Sequence, residues 1–336
     1  MKSIPKRGAF FLLALSFLGN SLQASELKGA WLTRFYWDNP VKVDSLLQMA
    51  ANAGLTDVFV QIRGRGEAFY RSSYEPIAAP FAKNDQLLND LLVKARLMGI
   101  RIHAWVNVFL VGSDLHQPFP EKHILSKHPE WVLKDANQLS LLKYKHQDYS
   151  RLQLEGIYIN PMSEEVQAYT LKIIKDIFSK YPFDGLHLDY FRLPSPRFYT
   201  GSLSSGAMLK KSLTVFLRNI KAEVRKQRGS VILSVAVKAN LTDAGMMFGQ
   251  YWDHWLDQRA VDYAVPMNYS SDNNTFISNI QTFPEKHYDK IIVGLSLFNS
   301  ERENQAFQLR LLKENGIKKY AFYSLNYLVI KLGKGN

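Results

Sequence analysis

Phe183-Asp-Gly-Leu-His-Leu-Asp-Tyr-Phe-Arg-Leu-Pro194 reads as a short buried strand that ends in a carboxylate. Side chains along a strand alternate between its two faces. Leu186 and Leu188 therefore share one face, and His187 and Asp189 share the other. The aliphatic face suits a covering helix, so the polar face looks into an enclosed space. An amphipathic helix is predicted before this strand over 163–181, opened by a capping serine and two acids, Ser163-Glu-Glu165. Another is predicted after it over 207–228, ended by Gly229. A strand set between two helices is the repeating unit of a parallel sheet.

The same unit recurs in both directions. Strands are predicted at 28–34, 57–63, 101–108, 185–190, 231–238, 262–269, 290–297 and 319–325. Further helices are expected over 43–53, 84–98 and 304–315, each followed by glycine (Gly54, Gly99, Gly316). Eight strands close a (β/α)8 barrel, so an α/β fold with a single barrel domain over 25–336 is expected. One connection is long. It runs from the third strand to Ser163, with a helical run near 123–128 and a polar stretch over 134–151. Long connections in a compact domain are usually functional, and in this barrel they leave the active-site face. The insertion is therefore expected to wall one side of a cleft.

Alternation along the other strands sets Gln61, Arg63, His103, Trp105, Asn107 and Lys238 on the same face as His187 and Asp189. A purely structural barrel fills such positions with Val, Ile and Leu, and a buried polar group is costly unless paired. Their convergence points to a site. Asn268, in the sixth strand, and Tyr190 and Arg192, leaving the fourth, are taken with them. Alternatives stand beside this reading. His103 and His187 sit deeper and can be satisfied core histidines. Gln61 and Asn107 can be structural hydrogen-bonders. Arg63 and Lys238 can be ion-pair partners that keep Asp189 charged.

Composition sets the compartment and the partners. The 336 residues carry 42 Lys and Arg against 30 Asp and Glu, a net charge of +12, and no cysteine. Lys2, Lys6 and Arg7 precede an apolar run over 8–19, and Leu22-Gln-Ala24 offers a small-residue cleavage point. That run is short for a membrane span, so 1–24 is expected to be a signal peptide and the protein periplasmic or extracellular. Losing its three cations lowers the net charge to +9. A basic exported chain favours anionic partners such as cell-wall glycan, other acidic polysaccharide or a membrane surface. No block of five like charges suggests a nucleic-acid tail.

Six blocks, in order, carry a resemblance. They are Gly29-Ala-Trp-Leu-Thr33, Val60-Gln-Ile-Arg-Gly-Arg-Gly-Glu-Ala-Phe-Tyr-Arg-Ser72, His103-Ala-Trp-Val-Asn107, His128-Pro-Glu-Trp131, Gly156-Ile-Tyr-Ile-Asn-Pro161 and the opening stretch 183–194. Together they resemble the bacterial glycosyl-hydrolase-like 10 family from about Leu27 to Leu325. The resemblance implies a TIM barrel and glycosidase activity on peptidoglycan glycan strands or another polysaccharide. It makes Asp189 the catalytic carboxylate, with Gln61, His103, Asn107 and Tyr190 at site-lining positions. Where many relatives carry Ser-Pro after the fifth strand, this chain has Val237-Lys238, which bears on substrate preference.

Glycoside hydrolysis ordinarily needs two carboxyl groups across the scissile bond. Glu67 is the first choice for the second, with Glu155 and Asp114 next, and Phe69, Tyr70 and Trp105 could supply an apolar setting that raises an acid's pKa. Arg63 and Arg65 could hold a substrate carboxylate. No nucleophile elbow, zinc motif or Walker loop is present, and no metal or cofactor is expected. A barrel that binds glycan without cleaving it remains the alternative.

Overall fold

The structure, a computed structural model, describes residues 26–84, 86–116, 118–198 and 206–327. The expected leader and the last residues of the 25–336 domain lie outside them. Eight parallel strands form the barrel: β1 Lys28–Leu32, β2 Asp57–Gly64, β3 Arg101–Asn107, β4 Gly185–Asp189, β5 Ile232–Lys238, β6 Tyr263–Met267, β7 Ile292–Ser296 and β8 Lys319–Tyr323. Closure is made by β1, which pairs with β8 through Gly29↔Ala321 and with β2 through Ala30↔Val58.

Helices α1 Pro40–Asn52, α2 Leu87–Leu97, α3 Glu164–Lys180 and α4 Gly206–Arg228 follow the first four strands. The fifth connection breaks into two short helices, α5 Leu241–Phe248 and α6 Trp252–Asp257. Then come α7 Asn273–Gln281 and α8 Arg302–Glu314. Asn39 caps α1 by accepting from the Val41 amide, with Pro40 in the first turn, where a missing N–H costs nothing. Ser163 caps α3 by accepting from Val166.

Two apolar layers divide as the alternation requires. Val58, Val60, Leu186, Leu188, Leu233 and Val235 join the helices in the outer core. Trp31, Phe59, Trp105, Val265, Ile292 and Ala321 fill the barrel itself. The barrel floor is polar but closed. Asp57 accepts from Arg101 through two bonds of 2.8 Å, from Thr56 at 2.6 Å and from the ring of His103 at 2.8 Å. Burial alone would raise the Asp57 pKa, but these donors hold it below the usual carboxylate range.

The His103 ring also explains Gly185. The two are register partners on β3 and β4, and a Cβ at 185 would lie 2.0 Å from the ring Nδ1. Gly185→Ala is expected to cost about 1–3 kcal/mol or more by overpacking. Urea unfolding checks this, as a fall in midpoint at constant slope.

The described residues of the connection from β3 to α3 pack against the barrel as a wall. Leu110–Gly112 pairs antiparallel with Ile157–Tyr158, and Val132 bridges to Ile159. Buried Asp135 gathers its turn by accepting from the Asn137 and Leu139 amides and, at 2.7 Å, from the Tyr144 hydroxyl. Leu133, Leu141 and Tyr149 bury themselves in the same outer core as the barrel.

Candidate active site

Asp189 is the last residue of β4, at the C-terminal end where the chain leaves the sheet. Tyr190 has a φ of 52°, in the left-handed region that a bulky aromatic seldom adopts. That turn ends the strand and brings the Tyr190 amide round to donate to Asp189 Oδ1 at 2.7 Å. The indole of Trp105, on the neighbouring β3, donates to Oδ2 at 3.1 Å. Asp189 is only 7 % exposed. Burial raises its pKa to about 6 and nearby Glu155 adds to the rise, while the Tyr190 amide, Arg192 and Trp105 pull the other way.

This shift has a signed consequence for stability. A carboxyl whose folded pKa of about 6 exceeds its ordinary 3.8 favours the fold fully below pH 3.8. That contribution is lost as pH rises through 6. The stability of the wild type minus that of Asp189→Asn should therefore fall by on the order of 3 kcal/mol from pH 3.5 to 7.5. Denaturant curves on both proteins across that range measure it.

Glu155, not Glu67, is the second carboxylate whose charge reaches Asp189. It comes from the long connection, at the start of the return strand, and its side chain is 42 % exposed. Glu155 accepts from Arg192 and, at 3.0 Å, from the Tyr158 hydroxyl. Its partial burial would raise its pKa, but Arg192, Lys238 and the Tyr158 bond outweigh that and hold it down. Arg192 is buried, with its guanidinium 5.1 Å from the Tyr190 ring centre and 5.5 Å from that of Phe248. Lys238 Nζ lies 4.8 Å over the Phe248 ring. Burial and Arg192 lower the Lys238 pKa, against Glu155 and Asp189. The site thus pairs a carboxyl held partly protonated near neutral pH with one held ionised.

Around these lie Tyr269 and Tyr323, both raised in pKa by burial and by the charge of Asp189. Their ring centres lie 5.4 Å apart at a tilt of 36°, and Trp31 packs against both, edge-on to Tyr269 at 6.2 Å and tilted to Tyr323 at 6.1 Å, at the ends of β6 and β8. Neither was expected. The rule that places Asp189, chemistry at the C-terminal ends of barrel strands, also picks them out when applied to the later strands. Gln61 Oε1 accepts from the Arg34 amide at 3.3 Å and from its guanidinium at 3.4 Å. The buried amide oxygen of Asn107, one strand over from Asp189, has no protein partner among the described residues. An orphaned polar atom of this kind is a place for a ligand hydroxyl.

Five of the expected ligand-binding residues lie elsewhere. Arg63 is fully engaged: Glu75 accepts from Nε at 2.8 Å and from Nη2 at 2.6 Å, and the Asn107 and Val108 carbonyls accept from Nη1. A bulge between Gln61 and Arg63 inserts Ile62 and breaks the alternation that put Arg63 beside Asp189. Tyr70 packs on Tyr181 in the outer core, not in the barrel. His103 belongs to the floor. His187 is fully buried between the Trp31 indole, which donates at 3.0 Å, and Ser234 Oγ at 2.9 Å, so it supports the site from below. Asn268 spends its side chain on the Phe276 carbonyl and the Asn279 amide, fixing α7. Glu67 lies in a separate cleft with Arg34, Arg65, Ser113 and His123. Asp114 pairs with exposed His146 at 2.6 Å. Among the described residues no group of three potential ligands could hold a metal ion, and no helix is long and apolar enough to cross a membrane.

Comparison with known proteins agrees with this architecture. The sequence profile described as glycosyl hydrolase-like 10 matches residues 26–202. Glycosyl hydrolase DigH of Escherichia coli (strain K12) is 23% identical over 263 residues, 68% of this chain and 56% of its own length. Glycosyl hydrolase YngK of Bacillus subtilis is 23% identical over 205 residues, 55% of this chain and 36% of its own. The chain thus spans between a third and just over half of the length of these relatives. Among solved structures, the PgaB (BpsB) glycoside hydrolase domain from Bordetella bronchiseptica superposes with a TM-score of 0.69 at 13% identity, covering 90% of this chain and 95% of that one. At that identity the likeness is one of fold.

Proposed function

The chain belongs to the glycosyl hydrolase-like 10 family, and from that premise we propose that it is a glycoside hydrolase acting on a polysaccharide, with Asp189 as its proton-donating carboxyl. The observation that carries the reading is the buried Asp189 at the end of β4 with its pKa raised to about 6. A general acid works best when its pKa lies near the working pH, and burial is the usual means of raising a carboxyl there. Asp189 would protonate the leaving glycosidic oxygen. Glu155, held ionised by Arg192, would supply the negative partner that activates water or meets the developing positive charge on the sugar. Tyr190, Tyr269 and Tyr323 supply aromatic and hydroxyl surface for a sugar ring, and Asn107 an acceptor for one of its hydroxyls.

Cell-wall glycan is the proposed substrate, supported by the basic charge of the chain and the glycan-active names of its relatives. Export is proposed with it, from the basic and then apolar run over 2–19. One observation favours the competing reading of a barrel that binds without cleaving: Glu155 is already engaged by Arg192 and Tyr158. Incubation with purified peptidoglycan, with and without its stem peptides, followed by mass analysis separates the two. Hydrolysis gives shorter oligosaccharides whose summed mass exceeds that of the parent strand by one water per bond cleaved. Retention of glycan with no such product overturns the enzymatic reading.

A further inference from the structure

The cleft beside the site holds two arginines that the proposed chemistry does not use. Its volume is ≈ 280 Å³, and it is lined by Arg34, Arg65, Glu67, Ser113, Phe119 and His123. That is just under the range of about 300–1,000 Å³ typical of small-molecule pockets, suited to a substituent rather than a whole ligand. Arg34 connects it to Asp189's surroundings: it bonds Gln61 and lies in the electrostatic reach of Tyr190 and Tyr323.

The hairpin that carries Arg65 is built at a conformational cost. Gly64 pairs with Glu67 across a two-residue turn in which Arg65 has φ 54° and Gly66 has φ 72°. Turns with both central residues left-handed favour Asn or Gly at the first position, because a long side chain there is strained. Gly66 is required for a second reason, since a Cβ there would lie 2.4 Å from the His123 ring. That ring donates from Nε2 to the Arg65 carbonyl at 2.9 Å and accepts the Leu125 amide at Nδ1. The insertion thus clamps the turn and presents the Arg65 side chain to the cleft.

Among the described residues, neither Arg34 nor Arg65 makes an ion pair within 4 Å, and Glu67 is the one carboxylate lining the cleft. Arg34's pKa is lowered, first by burial and then by the charge of Arg65, with Glu67 opposing. Two half-buried guanidiniums that repel each other across a small cleft are relieved by an added anion. A carboxylate fits them best, because each guanidinium offers a planar fork of donors.

We propose that the Arg34–Arg65 cleft is an anion subsite that holds a carboxylate-bearing substituent of the glycan, so that the protein selects acidic over neutral sugar chains. The inference rests on the glycan reading of the adjoining site. It extends that reading by naming the substrate's charge and the residue that reads it.

Calorimetry on full-length Asp189→Asn protein tests it without interference from turnover. The probes are an oligouronate and an amino-sugar oligomer bearing lactyl-ether carboxylates, each paired with its carboxyl-reduced alcohol. At least one acid form should bind about 10- to 100-fold more tightly than its alcohol, and the arm that does so identifies the source of the carboxylate. Adding Arg65→Gly should abolish that preference, and Arg65→Lys should restore part of it. Glycine relaxes the left-handed turn, so Arg65→Gly should keep the melting temperature or raise it. Equal affinity for acid and alcohol, a preference that survives Arg65→Gly, or binding of neither pair would overturn the proposal. Discrimination in these titrations, with no product from the wild type on the same sugars, would instead overturn the hydrolase reading and leave the subsite standing.

Discussion

Asp189→Asn is expected to lower kcat on a cleaved glycan by about 10²–10⁴-fold, the usual contribution of a positioned acid, while Kd for the same glycan changes less than a few-fold. The substitution keeps the shape of the side chain and still offers an acceptor to either the Trp105 indole or the Tyr190 amide. What it removes is the transferable proton. Wild-type kcat/KM should fall as pH rises through about 6, as Asp189 ionises. Trp105→Phe removes a donor that favours the ionised form, so that falling limb should move to higher pH. Rates on a reducing-end assay from pH 4 to 8 measure both effects. A structural role for Asp189 would move stability but would not move that limb.

The second large effect concerns stability. Arg63 and Glu75 form a pair with side chains 3 % and 0 % exposed, joined by two bonds. Removing one partner strands the other charge away from water. Glu75→Ala is expected to destabilise the protein by about 3–5 kcal/mol, read as a drop in urea midpoint. Replacing both partners by apolar residues of similar volume should recover much of that loss, because the desolvation cost goes with the charges. Arg63 also supports the Asn107 and Val108 carbonyls beside the site. Glu75→Ala should therefore lower activity as well, even at temperatures where the variant remains folded.

The barrel was legible because its signal is periodic. Leu186 and Leu188 against His187 and Asp189 state the two faces of β4, and the same alternation repeats in β2, β3 and β5. Asp189, Trp105, Tyr190, Arg192 and Lys238 follow from that register with the rule that chemistry sits at the strands' C-terminal ends. What failed was reading periodicity through an irregularity. The bulge at Ile62 turns Arg63 away from the barrel, and its partner Glu75 stands on a turn that carries no pattern. Tyr70 follows the same hairpin outward.

Partners distant in sequence were equally hidden. Asn268 looks like a site residue until α7 returns to take both ends of its amide. Glu155 and Arg192 lie 37 residues apart, and only the folded insertion brings them together. Glu67 had the better sequence credentials, since it follows a barrel strand directly, but its hairpin turns it into the neighbouring cleft. The two buried histidines show a limit of another kind. Alternation places them correctly on the inner face, but depth along the strand decides whether such a residue meets a ligand or only supports one. His103 at the third position of β3 and His187 at the third of β4 are both too deep.

The most direct measurement is the titration of Asp189 itself, followed by the carboxyl carbon signal of 13C-aspartate-labelled protein and assigned by its loss in Asp189→Asn. A midpoint near 6 is predicted, well separated from the other aspartates, and it should match the falling limb of the pH–rate profile. A midpoint below 4 would show an ordinary ionised carboxylate there and would contradict its proposed role as proton donor.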